Sequence, residues 1–291
     1  GRLAGQANTT GTDNTALGYN SFYSNQTGIQ NTAVGSSALF SSTASQNTGV
    51  GYAALNSTTS GASNTAVGAG ALQSNTTANS NTAVGYQAGY SNTSGPYHAF
   101  VGYQAGYSNT SGAENTALGW LALYANQTGN YNVALGGEAL KNNTSNGNVA
   151  VGTATLYNNT TGGNNTAIGG ADIASFYNAL ARNTTGSYNI AVGGGALNAN
   201  TTANYNVAMG WQALGSNTTA SSNTAVGYQA GYSNTTGAGH VYLGYQSGYS
   251  STTAGDPNVS IGYQAFYSNT TGNSNVAIGR DALRSEEHTS E

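Results

Sequence analysis

The pentapeptide Asn64-Thr65-Ala66-Val67-Gly68 returns along this chain at a nearly constant interval, and that periodicity constrains the fold more than any other feature. With its last residue taken as position 0, the equivalents are Gly18, Gly35, Gly51, Gly68, Gly85, Gly102, Gly119, Gly136, Gly152, Gly169, Gly193, Gly210, Gly227, Gly244, Gly262 and Gly279. Of the 15 intervals between them, 11 are 17 residues, two are 16, one is 18 and one, from Gly169 to Gly193, is 24. Helical repeats need about 30 residues or more, and no 3.6-residue pattern persists through the unit. Two strands of about four or five residues and two bends fill the unit. The expected fold is all-β: a β-solenoid, or β-roll, of about 16–17 coils with two short strands each, stacked at roughly 4.8 Å.

Position -1 is aliphatic throughout: Leu17, Val34, Val50, Val67, Val84, Val101, Leu118, Leu135, Val151, Ile168, Val192, Met209, Val226, Leu243, Ile261 and Ile278. Position -3, on the same strand face, is Thr, Val or Ile except at Ala99. These two positions are expected to point inward, with the position -1 residues as the core file. Position -2 is mostly Ala, and position -4 is Asn except at His98 and His240. Stacked amides in that column can donate and accept along the axis. The two histidines are read as substitutions within the ladder, with a ring nitrogen in place of the amide, in preference to a metal or catalytic role.

After the glycine a second apolar segment follows. Its position +4 is a leucine in many coils, such as Leu39, Leu72 and Leu123, but Gly89, Gly106, Gly231 and Gly248 where the sequence runs Tyr-Gln-(Ala/Ser)-Gly-Tyr. The tyrosines at +1 and +5 of those coils are expected to replace the missing volume.

With 291 residues, two ordinary domains would fit, yet no composition break interrupts the repeat. A single continuous solenoid over 1–284 is the simpler expectation, with a loop insertion at 170–186 and an acidic polar tail or junction at 285–291. The smaller slips near Asn47, Asn146 and Asp256-Pro257 fall in turns, where they do least damage. The chain opens in mid-coil and its last coil is half complete, so it is expected either to be cut from a longer solenoid or to join head to tail.

Five Lys and Arg, nine Asp and Glu and a net charge of -4 leave no basic footprint for nucleic acid. The absence of cysteine removes disulfides and thiolate metal sites, and no apolar run approaches membrane-spanning length. No nucleophile, acid/base or phosphate-loop constellation is evident. Glu114 and Glu138 are the nearest approach to a carboxylate pair, on different segments. The expectation is a non-enzymatic chain without cofactor or metal.

Two recurrent surface features remain. Asn-x-Ser/Thr sequons begin at Asn8, Asn25, Asn56, Asn75, Asn92, Asn109, Asn126, Asn142, Asn143, Asn158, Asn159, Asn183, Asn200, Asn217, Asn234 and Asn269, nearly always at the same turn. In a secreted chain they would carry a row of glycans; alternatively, Asn-Thr-Thr-Gly is simply a good turn. Position +1 is aromatic at Tyr19, Tyr52, Tyr86, Tyr103, Trp120, Trp211, Tyr228, Tyr245 and Tyr263. Facing solvent, this column would offer sugar-stacking platforms or a lateral contact; facing a partner, it would be interface core.

The run Asn-Thr-Ala-Val-Gly, then Ala-Leu or Ala-Gly-Tyr, then Asn-Thr-Thr-Gly, resembles the head repeats of trimeric autotransporter adhesins and related repeats of phage tail fibres. The unit here is longer than the one those heads use. The resemblance implies an extended, self-associating rod, trimeric or filamentous, displayed outside the cell or at its surface and touching carbohydrate or a host surface. A virion tail fibre is the alternative. An ice-binding rod is a further one, weakened by threonines at -3 that are mixed with Val and Ile and expected to be buried.

Overall fold

The structure is a computed structural model and describes residues 1–170, 177–252 and 257–285. The chain divides into two compact units, Gly1–Asn146 and Gly147–Glu291, and each is a β-solenoid. Strands in the first are β1 (Thr15–Leu17), β2 (Thr32–Val34), β3 (Thr48–Val50), β4 (Thr65–Val67), β5 (Thr82–Val84), β6 (Ala99–Val101), β7 (Thr116–Leu118) and β8 (Val133–Leu135). Those of the second are β9 (Val149–Val151), β10 (Thr166–Ile168), β11 (Ile190–Val192), β12 (Val207–Met209), β13 (Thr224–Val226), β14 (Val241–Leu243), β15 (Val259–Ile261) and β16 (Val276–Ile278). Every strand occupies positions -3 to -1 of its repeat. Within a unit each pairs in parallel with the next, position against position, as Thr65, Ala66 and Val67 do with Thr82, Ala83 and Val84. No helix occurs among the described residues.

Variations in repeat length leave this register intact. The 16-residue coil keeps Thr32 opposite Thr48, and the 24-residue interval keeps Thr166 opposite Ile190. Residues 171–176, within the expected insertion at 170–186, lie outside the described residues. The coil resumes where the Ala179 N–H donates to the Gly169 carbonyl at 3.0 Å and Leu180 is buried. Of the expected tail, residues 286–291 are outside the described residues; Arg280 and Arg284 both pair with Asp281 just before it.

The strands face the opposite way from the sequence expectation. The small residue at -2 points inward: Ala33, Ala66, Ala83, Ala117, Ala150 and Ala208 have no exposed surface. The expected core file points outward. Leu17, Val67, Val84, Leu118, Ile168, Met209, Val226 and Ile278 are exposed, from 37% at Val67 to 66% at Ile278. Val34, Val50, Val101, Leu135, Val151, Val192, Leu243 and Ile261 are half-buried. The reason is the narrowness of the coil. Its interior already holds the leucine at +4, fully buried at Leu39, Leu55, Leu72, Leu123 and Leu140, and opposite that side chain there is room for a methyl group.

The segment after the glycine stacks between coils by backbone hydrogen bonds, as from the Leu72 N–H to the Ala88 carbonyl at 2.9 Å. It is a ladder of turns, without the extended geometry of a second strand, because positions +2 and +4 are left-handed. Gln87 has φ 52°, and the buried Leu39 and Leu72 have φ 51° and 47°. A left-handed L-residue costs about 1–2 kcal/mol, similar to the roughly 1.5–3 kcal/mol that burying a leucine side chain returns. The glycine at position 0 has no such option. At φ 135° a Cβ on Gly102 would run into the Gly119 carbonyl of the next coil.

Where +4 is glycine, the missing volume comes from neither +1 nor +5. Phe100 and Tyr242, the two large residues at -2, supply it from inside the coil, and both are fully buried. A Cβ on Gly89 would lie 2.9 Å from the Phe100 ring, and one on Gly106 2.6 Å from it. Tyr242 stands in the same relation to Gly231 and Gly248.

Candidate functional surfaces

Each unit keeps its polar interior together with two columns of asparagine. In the first, at -4, the Asn64 N–H and side-chain amide donate to Asn47 Oδ1 at 3.0 and 3.1 Å, and the Asn81 N–H donates to Asn64 Oδ1 at 3.0 Å. The second column, at +7, is formed by the sequon asparagine of most coils. Asn92, Asn109 and Asn126 each donate to the asparagine one coil earlier at 2.9–3.2 Å; Asn183 and Asn200 do so at 2.7 and 2.8 Å. Both columns converge on one turn carbonyl per coil. Gly129 O accepts from Asn126 at 2.9 Å and from Asn115 at 2.7 Å, and Ala203 O from Asn200 at 3.2 Å and from Asn189 at 2.8 Å.

This arrangement overturns the glycan expectation. Asn25, Asn75, Asn92, Asn109, Asn126, Asn143, Asn159, Asn183, Asn200, Asn217, Asn234 and Asn269 are buried, and the amide nitrogen that a sugar would modify is committed inside the coil at most of them. A glycan on any of these nitrogens would have to occupy the solenoid interior. Of the other sequons, Asn8 and Asn158 are exposed and Asn56 and Asn142 half-buried, so no row of glycans follows the axis. The turn reading of Asn-Thr-Thr-Gly is the one the geometry supports.

His98 and His240 stand in the position -4 column as expected. The His98 N–H donates to Asn81 Oδ1 at 2.9 Å, its Nδ1 accepts from the Asn115 N–H at 3.1 Å, and its Nε2 lies 3.0 Å from the Asn109 amide nitrogen. Nδ1 of His240 accepts from the Asn258 N–H at 2.9 Å. Each histidine neighbours the aromatic residue at -2: His98 stacks on Phe100 with ring centres 4.5 Å apart, and His240 lies tilted against Tyr242 at 5.5 Å. Burial pushes the His98 imidazole down to about 4, against the opposing effect of its backbone hydrogen bonds. It is therefore neutral at pH 7 and accepts through Nδ1.

The outward sheet face differs between the units. In Gly1–Asn146 position -3 is Thr15, Thr32, Thr48, Thr65, Thr82, Ala99, Thr116 and Val133, so a threonine column runs beside an aliphatic one. Within the second unit the same position is Val149, Thr166, Ile190, Val207, Thr224, Val241, Val259 and Val276, and both columns are largely aliphatic. Ile190 and Val276 are 42% and 64% exposed. Sequence reasoning missed this face by turning it inward. The smallness of -2 in all coils but those of Phe100 and Tyr242 was the signal that could have found it.

The aromatic column at +1 faces solvent: Tyr19, Tyr52, Tyr86, Tyr103, Trp120, Trp211, Tyr228, Tyr245 and Tyr263 are 43–67% exposed. Where tyrosines succeed one another, their rings stack along the axis. Centroids are 5.5 Å apart at Tyr86–Tyr103, 5.2 Å at Tyr228–Tyr245 and 5.1 Å at Tyr245–Tyr263, with planes within 13°. Ring faces between neighbours are thereby taken, and the edges and hydroxyls meet solvent. The column does not offer successive stacking platforms for sugars. Beside it, at +2, glutamine amides bond from coil to coil: Gln104 to Gln87 at 2.8 Å, and Gln264 to Gln246 at 2.9 Å. Tyr90, Tyr107 and Tyr124 form a further stack at +5. There, desolvation and the neighbouring phenols raise the Tyr107 hydroxyl above its ordinary value.

Of the two carboxylates considered as a pair, Glu138 is buried and bonds Lys141 Nζ at 2.6 Å, whereas Glu114 is exposed in a turn. Among the described residues no three His, Asp or Glu side chains come together as a metal site, and no helix is long and apolar enough to cross a membrane. A cleft of about 240 Å³ beside the last coil of the second unit is lined by Phe266, Asn269, Thr271, Gly272, Asn275, Leu283 and Ser285. Among the described residues it carries no titratable side chain. No protein-family model, curated protein or solved structure matches the chain.

Proposed function

We propose that this chain is a non-enzymatic structural subunit of an extracellular or cell-surface fibre, and that copies associate side by side through the outward sheet face. The observation that carries the reading is the aliphatic double column on β9–β16, where Ile168, Ile190, Met209, Val276 and Ile278 are at least 40% exposed. Eight strands at about 4.8 Å, each three residues wide at about 3.3 Å per residue, give a face of about 400 Å² per unit. A face of that size matches the largest apolar patch of a typical monomer, and such patches often serve as contact surfaces. Low charge removes the repulsion that keeps copies apart. The resemblance to adhesin-head repeats supports display outside the cell, and a tail fibre uses the same association.

Sedimentation of the full chain over a concentration series tests the reading. It predicts a defined oligomer or a filament that Met209→Asp together with Ile168→Asp reduces to monomer with the β-sheet signal retained. A chain that stays monomeric up to high concentration contradicts it.

The face of the first unit favours a second reading. Its threonines are outward, with Thr15 and Thr82 exposed and Thr32, Thr48, Thr65 and Thr116 half-buried, which reverses the objection to ice binding drawn from the sequence. A thermal-hysteresis assay decides this: activity lost in Thr65→Leu with Thr82→Leu supports it, and no activity in the unaltered chain removes it.

A further inference from the structure

The tyrosine columns have a chemistry that neither packing nor association uses. Tyr86 with Tyr103, Tyr188 with Tyr205, and Tyr228 with Tyr245 and Tyr263 are parallel neighbours at 5.1–5.5 Å, and all seven are 43–60% exposed. Each ring sits on a separate coil, fixed in register by the strands below it. Their phenols are open to an oxidant, and each ring has its nearest phenol one coil away. Tyr52, Tyr97 and Tyr131 are exposed by 61–67% and have no stacked ring among the described residues, so the molecule contains its own controls.

We propose that these columns are oxidative cross-linking sites, in which a one-electron phenol oxidant such as a haem peroxidase with hydrogen peroxide joins stacked tyrosines of successive coils as dityrosine. Each of two phenols gives up one electron and one proton and becomes a phenoxyl radical. The radicals combine at the carbons ortho to oxygen, forming one C–C bond, and each ortho hydrogen then moves to the oxygen of its own ring. Peroxide takes up the two electrons and two protons and leaves as two molecules of water. Exposed rings can pivot about their side-chain torsions to bring the ortho carbons together, because nothing covers their outer edges. The product is a covalent staple between coils otherwise held by hydrogen bonds and side-chain packing.

The proximity of the rings makes the coupling intramolecular. A tethered neighbour acts at an effective concentration of millimolar or more, so at micromolar protein the preference for column neighbours over other chains is on the order of a thousandfold.

The test treats the full chain at micromolar concentration with peroxidase and limiting hydrogen peroxide, then maps joined peptides after proteolysis. The expected result is intrachain links between Tyr188 and Tyr205, Tyr86 and Tyr103, and within the Tyr228–Tyr245–Tyr263 column, each with the loss of two hydrogen atoms and with a yield independent of dilution. Tyr205→Phe, a change at an exposed ring edge, should abolish the Tyr188 link and leave the Tyr228–Tyr245 link unchanged. Links that include Tyr52, Tyr97 and Tyr131 as often as the column residues overturn the proposal. So do links found only between chains, or an unmodified chain in a mixture where added free tyrosine is coupled.

Discussion

Two stretches of the first unit fill the same interior in different ways. Beside Ala66 the leucines at +4 of successive coils, Leu55 and Leu72, are fully buried and the -2 side chain is one methyl group. Around Phe100 the proportions reverse: one ring at -2 replaces two leucines, and Gly89 and Gly106 take their positions. The second unit repeats the exchange with Tyr242, Gly231 and Gly248, adding a hydroxyl bonded to Ser251 at 3.0 Å. Volume is therefore conserved over three positions in adjacent coils and not within each coil. In the two aromatic stretches, around Phe100 and Tyr242, the residue at -4 is histidine, whose ring lies against the aromatic one. Packing density near that of a crystal forces this coupling, since a Cβ on Gly89 or Gly106 would meet the Phe100 ring, and one on Gly231 or Gly248 the Tyr242 ring.

The largest effect should come from breaking the aromatic solution. Phe100→Ala leaves a cavity bordered by two glycines and should cost about 3–5 kcal/mol in denaturant unfolding. Adding Gly89→Leu and Gly106→Leu converts the stretch to the leucine solution and should recover most of that loss, because left-handed leucine is already accommodated at Leu39 and Leu72. Failure of the triple variant to recover stability would show that the two solutions are not equivalent.

The histidine gives the comparison a pH dependence. In the unfolded chain His98 takes up a proton near 6.5, and in the fold at about 4. Between those values the unfolded state binds more protons, so stability is full above about 6.5 and falls as pH drops toward 4. The loss attributable to His98 should reach about 3 kcal/mol by pH 4. His98→Asn restores the column residue of the leucine coils and should remove that part of the slope, measured as the difference between the two unfolding profiles.

A smaller effect is expected where the +7 column breaks off. Ser42 and Thr58 replace its asparagines, and their hydroxyls are buried without a hydrogen-bond partner. Ser42→Asn with Thr58→Asn should rejoin the ladder between Asn25 and Asn75 and raise stability by about 1 kcal/mol for each site, read as an increase in Tm. The shortened coil at Ser42 is no obstacle, since Asn143 in another 16-residue coil reaches the Ser145 carbonyl at 2.9 Å.

Much of this was legible in the sequence. The spacing of the glycines located every strand at -3 to -1, and Asn64 and its counterparts were read as a hydrogen-bonded column into which His98 and His240 fit. What failed was the choice of face. Alternation along Thr65-Ala66-Val67 defines two faces without saying which is inside, and hydrophobicity favoured Val67. The deciding quantity was width: the space beside Leu72 admits Ala66 and not Val67. The same misjudgement hid the roles of Phe100 and Tyr242, which are conspicuous only once -2 is known to be interior. For the sequons, recurrence at a turn suggested exposure, although Asn109 recurs because its amide closes that turn from within. Stacking of the tyrosines follows from the period itself, since identical positions in register superpose.

The direction of the strand side chains is the claim on which the rest depends, and paired aspartate substitutions in β7 test it most directly. Ala117 has no exposed surface and Leu118 is 51% exposed. Thermal unfolding at low concentration should show Leu118→Asp folded with a Tm within a few degrees of the unaltered chain, and Ala117→Asp severely destabilised by a buried charge. A chain that tolerates aspartate at 117 and unfolds with aspartate at 118 would contradict the account.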